Sequence, residues 1–357
     1  MPGILYRYLL RSLLASWAGV AGVLLTVLVV SQLPNVLNRA LAKEIAPEVI
    51  WQVLGWITLA NLPAVLPISL LLAVVLTLGR MGSDSELTAM RAGGVSMLGL
   101  LVPVTLLAAP LAIVQAGITL QFAPQALCNT LKARSQAART LALGPVRPGV
   151  FQAFGSGSSY FVGGVDADGT LREVFISRGE QSGPVEVILA ARGRVEAFPE
   201  QDRLRLQLFD GRRYEGTPGT GRFRILTFEG YEAWVPIPTV VGRCERPDSR
   251  TTTDLWKSAV PAERAELNWR IGMALTLLVL AIFSVPLAII RPRQGRLARV
   301  PAALGVFFLY FFGAIGLTTF STRNPALGVP LYWSLHATVL LAGLLWLAAR
   351  QGAFHRR

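Results

Sequence analysis

The sequence predicts a polytopic α-helical membrane protein with six transmembrane helices and an all-β domain inserted between the third and the fourth. Three observations carry that reading. Of 357 residues, 52% are hydrophobic and 15% charged, with a mean hydropathy of +0.49, against roughly 25% charged residues in an average soluble domain. Six runs approach the about 20 apolar residues that cross a bilayer core of roughly 30 Å. Between the third and fourth runs, residues 123–266 mix 19 Lys/Arg with 17 Asp/Glu, a net of +2, and contain no run long enough to span.

The runs are Leu13 to Leu33, Trp51 to Leu78, Met97 to Phe122, Leu267 to Ile290, Val300 to Phe320 and Pro330 to Ala349. The first follows Arg7 and Arg11, but it is longer than a secretory h-region and no small-residue cleavage site follows, so we read it as a retained span. Pro63, Pro67, Pro103 and Pro110 kink spans two and three, which suits a cavity wall and an inert bundle alike.

Basic residues set the orientation. With both ends inside, the inner segments hold Arg7, Arg11, Arg80, Arg91, Arg291, Arg293, Arg296, Arg299, Arg350, Arg356 and Arg357, and the short outer loops only Arg39, Lys43 and Arg323. The net charge of +13 therefore reflects topology and anionic lipid heads. No basic run interleaves with aromatics, so no nucleic-acid partner is expected.

Within the insert, residues 123–139 lack strand alternation and extend span three as a helix. The period then becomes two. Strands are expected at Gly149 to Phe154, Ser159 to Val162, Arg172 to Ser177, Val185 to Phe198, Arg203 to Phe209, Arg222 to Phe228 and Gly230 to Val235, with Asp168-Gly169 and Asp210-Gly211 as hairpin turns. In "RLRLQLF", Leu204, Leu206 and Leu208 share one face. About seven such strands fit a sandwich, jelly roll or open barrel. The expected division is 1–122 for spans one to three, 123–140 for a helical connector, 141–260 for the β-domain and 261–357 for spans four to six with a cytoplasmic tail.

Several chemistries are excluded by motif. GxxxxGK[ST], HExxH and GxSxG are missing, and the only histidines are His336, in span six, and His355. No catalytic residue and no metal site is expected, and His336 is read as a packed side chain. Outside the insert the acids are Glu44, Glu48, Asp84 and Glu86, all in loops. Ion-coupled carriers need ionisable groups at membrane depth, so energy must reach the chain from a partner.

The loop between spans two and three points to the place. Ser83 and Glu86 fit an S-x-x-E capping box, Asp84 adds charge at the positive helix end, and Gly93-Gly94 supplies a stop. A helix of about two turns over 83–92 follows. Leu87 and Met90, with Glu86 and Arg91 beside them, make a small apolar face suited to a partner's groove. The alternative is an interfacial helix resting on lipid heads.

That segment, "LTLGRMGSDSELTAMRAGG" from Leu76, together with "RAELNWRI" from Arg264 and "PRQGR" from Pro292, resembles the LptF/LptG permease family of the lipopolysaccharide exporter. The last two segments resemble LptF-type members more than LptG-type ones, and the similarity covers nearly the whole chain. The resemblance implies a multi-pass protein of the Gram-negative inner membrane with cytoplasmic ends and a periplasmic β-jellyroll. It implies a heterodimer with an LptG-like permease on an LptB-like ABC ATPase pair, which uses the ATP and Mg²⁺. A single-span LptC-like protein and an LptA-like bridge pass lipopolysaccharide onward. Glu86 carries over as the acidic residue of the coupling helix, with Ser83, Asp84, Leu87, Met90 and Arg91 around it.

Lipid A phosphates call for basic groups near the outer surface. Arg39, Lys43 and Arg270 are the candidates, although Arg270 also stands four residues after Glu266, the spacing of a helical ion pair. Leu204, Leu206 and Leu208 are candidates for lipid contact or for an ordinary core. Cys128 and Cys244 both fall on the outer side. Sequence separation does not set their distance, and we read them as two free thiols, with one bridge as the alternative. Two other classes share much of this pattern: a mechanotransmission permease that passes no substrate through its own spans, and a non-transport scaffold for periplasmic proteins.

Overall fold

The computed structural model describes residues 2–41, 45–143, 148–153, 158–179, 185–198, 203–217, 223–236, 244–289, 295 and 297–355. The chain forms two units, Met1–Ala133 with Gly242–Arg357, and Arg134–Val241.

The first unit is helical because a chain in lipid must satisfy its backbone internally. In order come α1 (Pro2–Leu41), a 3₁₀ turn (Pro47–Val49), α2 (Ile50–Ser83), α3 (Glu86–Ala92) and α4 (Met97–Gly117). A π-turn (Ile118–Phe122) joins α4 to α5 (Ala123–Leu143). After the insert follow a 3₁₀ turn (Pro247–Ser249), α6 (Thr252–Lys257), α7 (Pro261–Ala288), α8 (Val300–Arg323) and α9 (Pro325–His355). Six stretches are long and apolar enough to cross a membrane: Gly3–Leu41, Pro47–Ser83, Met97–Gln136, Pro261–Ala288, Val300–Arg323 and Pro325–Gln351. The protein is therefore a multi-pass membrane protein.

Burial sorts these helices. In α2 and α7, 67% of the most apolar stretch is buried, against 6% in α1, so α2 and α7 form the inner pair and α1 turns most of its surface outward. Leu70, Leu71, Val74, Val75 and Leu78 of α2 share a core with Leu277, Leu280 and Val285 of α7. Polar links hold α1 to α2, with Trp17 Nε1 donating to Ser69 Oγ at 3.1 Å and Thr77 Oγ1 to Ser16 Oγ at 2.8 Å. Helix α7 meets α9 at Gly272, where an added Cβ would lie 2.0 Å from the Tyr332 hydroxyl. Only the missing side chain permits that approach. Beside it His336 is buried, with its ring nitrogens 3.0 and 3.3 Å from the carbonyls of Tyr332 and Gly272.

The second unit holds one antiparallel sheet of β1 (Gln152–Ala153), β2 (Ser158–Val165), β3 (Leu171–Arg178), β4 (Val185–Phe198), β5 (Arg203–Gly216) and β6 (Phe223–Pro236), in sequential order. The Asp168-Gly169 turn forms as expected, with Gly169 at φ +83°. The Thr170 hydroxyl and amide donate to Asp168 and hold its carboxyl below the ordinary range. Two expectations fail. Asp210-Gly211 is no hairpin turn but lies inside β5, and the two stretches expected over residues 222–235 are one strand, β6.

A single feature accounts for both. The ladder registers pass over Gly163, Glu173, Ala191, Asp210 and Glu229, a row crossing β2 to β6. Glu173 and Asp210 sit there with φ of 53° and 55°. Across this row the inward alternation changes phase: Leu171 is buried on one side and Val174 and Ile176 on the other, and likewise Leu206 and Leu208 against Gly211. The buried side chains, including Val162, Val174, Ile188, Leu206 and Leu208, form one core.

The cysteines correct a further expectation. Cys128 and Cys244 form a disulfide with Cα atoms 5.1 Å apart. Both belong to the helical unit, so the bridge closes the root of the insert across 116 residues of sequence. The residues from Cys244 to Lys257, assigned by sequence to the β-domain, also belong to the helical unit.

Candidate coupling site

Helix α3 is a seven-residue segment between the inner helix α2 and α4. Its start differs from the expected capping box. Helix α2 runs on through Ser83, whose hydroxyl bonds back to the Arg80 carbonyl at 2.8 Å and to Asp84 Oδ1 at 3.1 Å. The chain turns at Ser85, with φ 62°, and no side chain caps α3. Its end is the expected glycine stop. Gly94 takes φ +83°, Val95 N–H reaches the Met90 carbonyl at 3.0 Å, and Gly94 N–H reaches Arg91 O at 2.9 Å. These two bonds make a Schellman motif.

The apolar footing points inward. Leu87 is buried in the same core as Leu9 of α1, Leu78 and Met81 of α2, and Met97 of α4, and Met90 packs against that core. The side chains expected to enter a partner's groove thus fasten α3 to its own bundle. What faces outward is Ser85, Thr88, Ala89 and Ala92, a stripe at the three- and four-residue spacing of one helix face. Asp84 is exposed beside it, and Glu86 and Arg91 are half-buried at its margins. The Glu86 carboxylate accepts a hydrogen bond from the Tyr8 hydroxyl of α1 at 2.8 Å. Sequence spacing held no signal for this partner, which lies 78 residues away.

Of the residues expected to hold lipid phosphates, Arg39 is half-buried in the last turn of α1 and Lys43 lies outside the described residues. Arg270 is 2% exposed, and all five of its N–H groups are satisfied within the chain. Nε donates to Glu266 Oε1 at 2.8 Å, Nη1 to Arg250 O at 3.0 Å and Thr252 Oγ1 at 2.9 Å, and Nη2 to Pro247 O at 3.0 Å and Asp248 O at 3.2 Å. Arg250 in turn pairs with Glu263. Arg270 is a clasp binding residues 247–252 to α7, with no donor left for a phosphate, which corrects its assignment as a lipid contact.

In the β-unit, Leu206 and Leu208 belong to the closed core and Leu204 is half-buried. An open cleft of about 770 Å³ is lined in part by Phe161, Phe175 and Leu189, which alternate along their strands with the core residues Val162, Val174 and Ile188. Phe151 packs tilted against Phe161 and edge-on against Phe175, at ring-centroid distances of 4.9 and 5.8 Å. Sequence reasoning passed over these side chains because they occupy the alternate positions of strands read only for their core face.

Comparison with known proteins adds one family and a set of relatives. The family model "Lipopolysaccharide export system permease LptF/LptG" matches residues 7–350. The "Lipopolysaccharide export system permease protein LptF" of Escherichia coli strain K12 is 29% identical to this chain over 311 residues, which covers 86% of this chain and 84% of that protein. The protein of the same description from Shigella flexneri is similar to the same extent.

Proposed function

Because the chain belongs to the LptF/LptG family of lipopolysaccharide export system permeases, we propose that it is an inner-membrane permease subunit of an ATP-driven lipopolysaccharide exporter, with both ends cytoplasmic and the β-domain periplasmic. The excess of arginine on the loops beside the chain ends supports this orientation. The chain pairs with an LptG-type permease on an ABC ATPase pair that uses ATP and Mg²⁺, and an LptC-like subunit and an LptA-like bridge take the lipid onward.

The observation that carries the coupling role is the footing of α3. A helix pinned to α1, α2 and α4 by Leu87, and tied to α1 through Glu86, moves with those helices as one body. Its outward stripe of Ser85, Thr88, Ala89 and Ala92 is small enough for close approach by an ATPase groove, with Asp84, Glu86 and Arg91 at the rim. ATP-driven closure of the ATPase pair then presses on the ends of α1, α2 and α4 and narrows the space between the two permeases, expelling the lipid.

The β-domain gives acyl chains apolar cover while sugars and phosphates stay wet. Its open aromatic cleft suits that task better than the closed core, which already has its partners. Affinity purification of the tagged chain from its native membrane, with mass spectrometry of what accompanies it, tests the assembly. An ABC ATPase and a second six-span permease are expected. Recovery of neither, under conditions that keep known complexes intact, would favour the scaffold reading.

A further inference from the structure

We propose that a cleft between α1 and α2, at the membrane surface where α1 begins, binds the phosphate headgroup of an anionic phospholipid. The cleft, of about 670 Å³, is lined by Tyr8, Arg11, Ser12, Ala15 and Ser16 of α1, by Leu76, Thr77 and Arg80 of α2, and by Leu297 ahead of α8.

Two guanidiniums from different helices line one concavity, and both side chains are exposed. Among the described residues neither has a carboxylate within ion-pair distance. The Glu86 carboxylate near the cleft already accepts from Tyr8. Like charges repel each other; the Glu86 carboxylate nearby offsets part of that cost without pairing to either arginine, and an anion held between the two arginines removes the rest. Guanidinium forks match phosphate oxygens. Basic pockets between membrane helices are where acidic lipid heads are held.

The remaining walls separate a lipid from a free anion. Ser16 and Thr77 bond to each other at 2.8 Å and so close the polar floor. Ala15, Leu76 and Leu297 are apolar and line the rest, and the neighbouring Leu14 is 48% exposed. A diacyl lipid meets this gradient with its phosphate on the arginines and its chains along α1. The inference requires only that α1 and α2 cross a bilayer, so it stands or falls apart from lipopolysaccharide export.

The test uses the full chain, with whatever subunits accompany it, in phosphatidylethanolamine nanodiscs containing a minor amount of photoactivatable phosphatidylglycerol or the matching phosphatidylcholine. Phosphatidylglycerol is expected to label the peptides containing Arg11 and Arg80, and phosphatidylcholine to leave them unlabelled. Arg11→Gln with Arg80→Gln lowers the labelling roughly tenfold, while Arg11→Lys with Arg80→Lys keeps most of it. Equal labelling by both lipids overturns the proposal in favour of an unselective apolar cleft. Displacement of the label by inorganic phosphate assigns a free-anion site instead. Absence of lipid label, with Arg80 cross-linked to an acidic peptide of another subunit, gives the cleft to a protein. If the glutamine variant does not fold, the lysine variant and the contrast between lipids decide the question.

Discussion

The Tyr8 hydroxyl donates to Glu86 Oε2 at 2.8 Å, joining the outer helix α1 to the short helix α3. Tyr8→Phe keeps the ring and releases the carboxylate. The bond is exposed, so the expected loss of stability is about 0.5 kcal/mol. The expected functional effect is larger: ATP hydrolysis by the assembled complex becomes less tightly coupled to lipid release, and Glu86→Ala weakens coupling further. ATPase rate and lipid release measured side by side check this. Wild-type coupling in both variants would remove the pair from the mechanism.

The two faces of α3 respond differently to substitution. Ala89→Trp places bulk on the outward stripe and is expected to change folding stability by no more than about 0.5 kcal/mol while abolishing co-purification of the ATPase. Leu87→Ala empties a core position and costs about 2–4 kcal/mol, visible as a lower melting temperature of the isolated chain. A reversed pattern would mean that α3 docks through Leu87 after all.

Arg270→Ala leaves five partly buried acceptors without their shared donor. A loss of about 3 kcal/mol or more is expected, and Arg270→Lys recovers little because an ammonium cannot reproduce the fork. Thermal unfolding of the purified chain measures it. A variant of full stability with selectively weakened lipopolysaccharide binding would return Arg270 to the lipid.

Protease cleavage inside the insert separates the chain into two pieces that the Cys128–Cys244 bridge still joins. On a non-reducing gel they are expected to run together, and reductant is expected to part them. Cys128→Ser with Cys244→Ser removes a loop closure of the size that contributes about 4–5 kcal/mol. Pieces that separate without reductant would show the thiols to be free in the membrane.

A photo-crosslinking residue in place of Leu189, on the open aromatic cleft, is expected to capture lipopolysaccharide during transport. The same residue in place of Leu208, fully buried in the β core, is expected not to. Capture at 208 alone would move the lipid path to the core face.

The membrane helices were legible in sequence because lipid demands long apolar runs, and composition alone marks those. The stop of α3 was legible too, since Gly94 needs a positive φ. Its start was not. Ser83 reads as the cap, whereas α2 runs on through Ser83 and the turn falls at Ser85; how far α2 persists depends on the packing of Leu78 and Met81. Alternation found the strands, yet the phase change at Glu173 and Asp210 exists only in the company of neighbouring strands. For Arg270, the Glu266 partner was readable at four residues. Its other acceptors come from residues 247–252, ahead of the helix, and no periodicity announces them. The disulfide was hidden for a similar reason: its distance is set by the path of the chain around the insert.

Because the bridge brings the departure and return of the insert to Cα positions 5.1 Å apart, a linker of two or three residues, at roughly 3.3–3.6 Å each, suffices to rejoin the chain there. The β-domain is thus a transplantable cassette. A foreign β-domain with adjacent ends can be grafted onto the same two feet while α7 keeps its contacts with α2, α4 and α9. Chimeras of this kind would sort the sequence requirements of carrying a lipid through water from those of converting ATPase motion into helix motion.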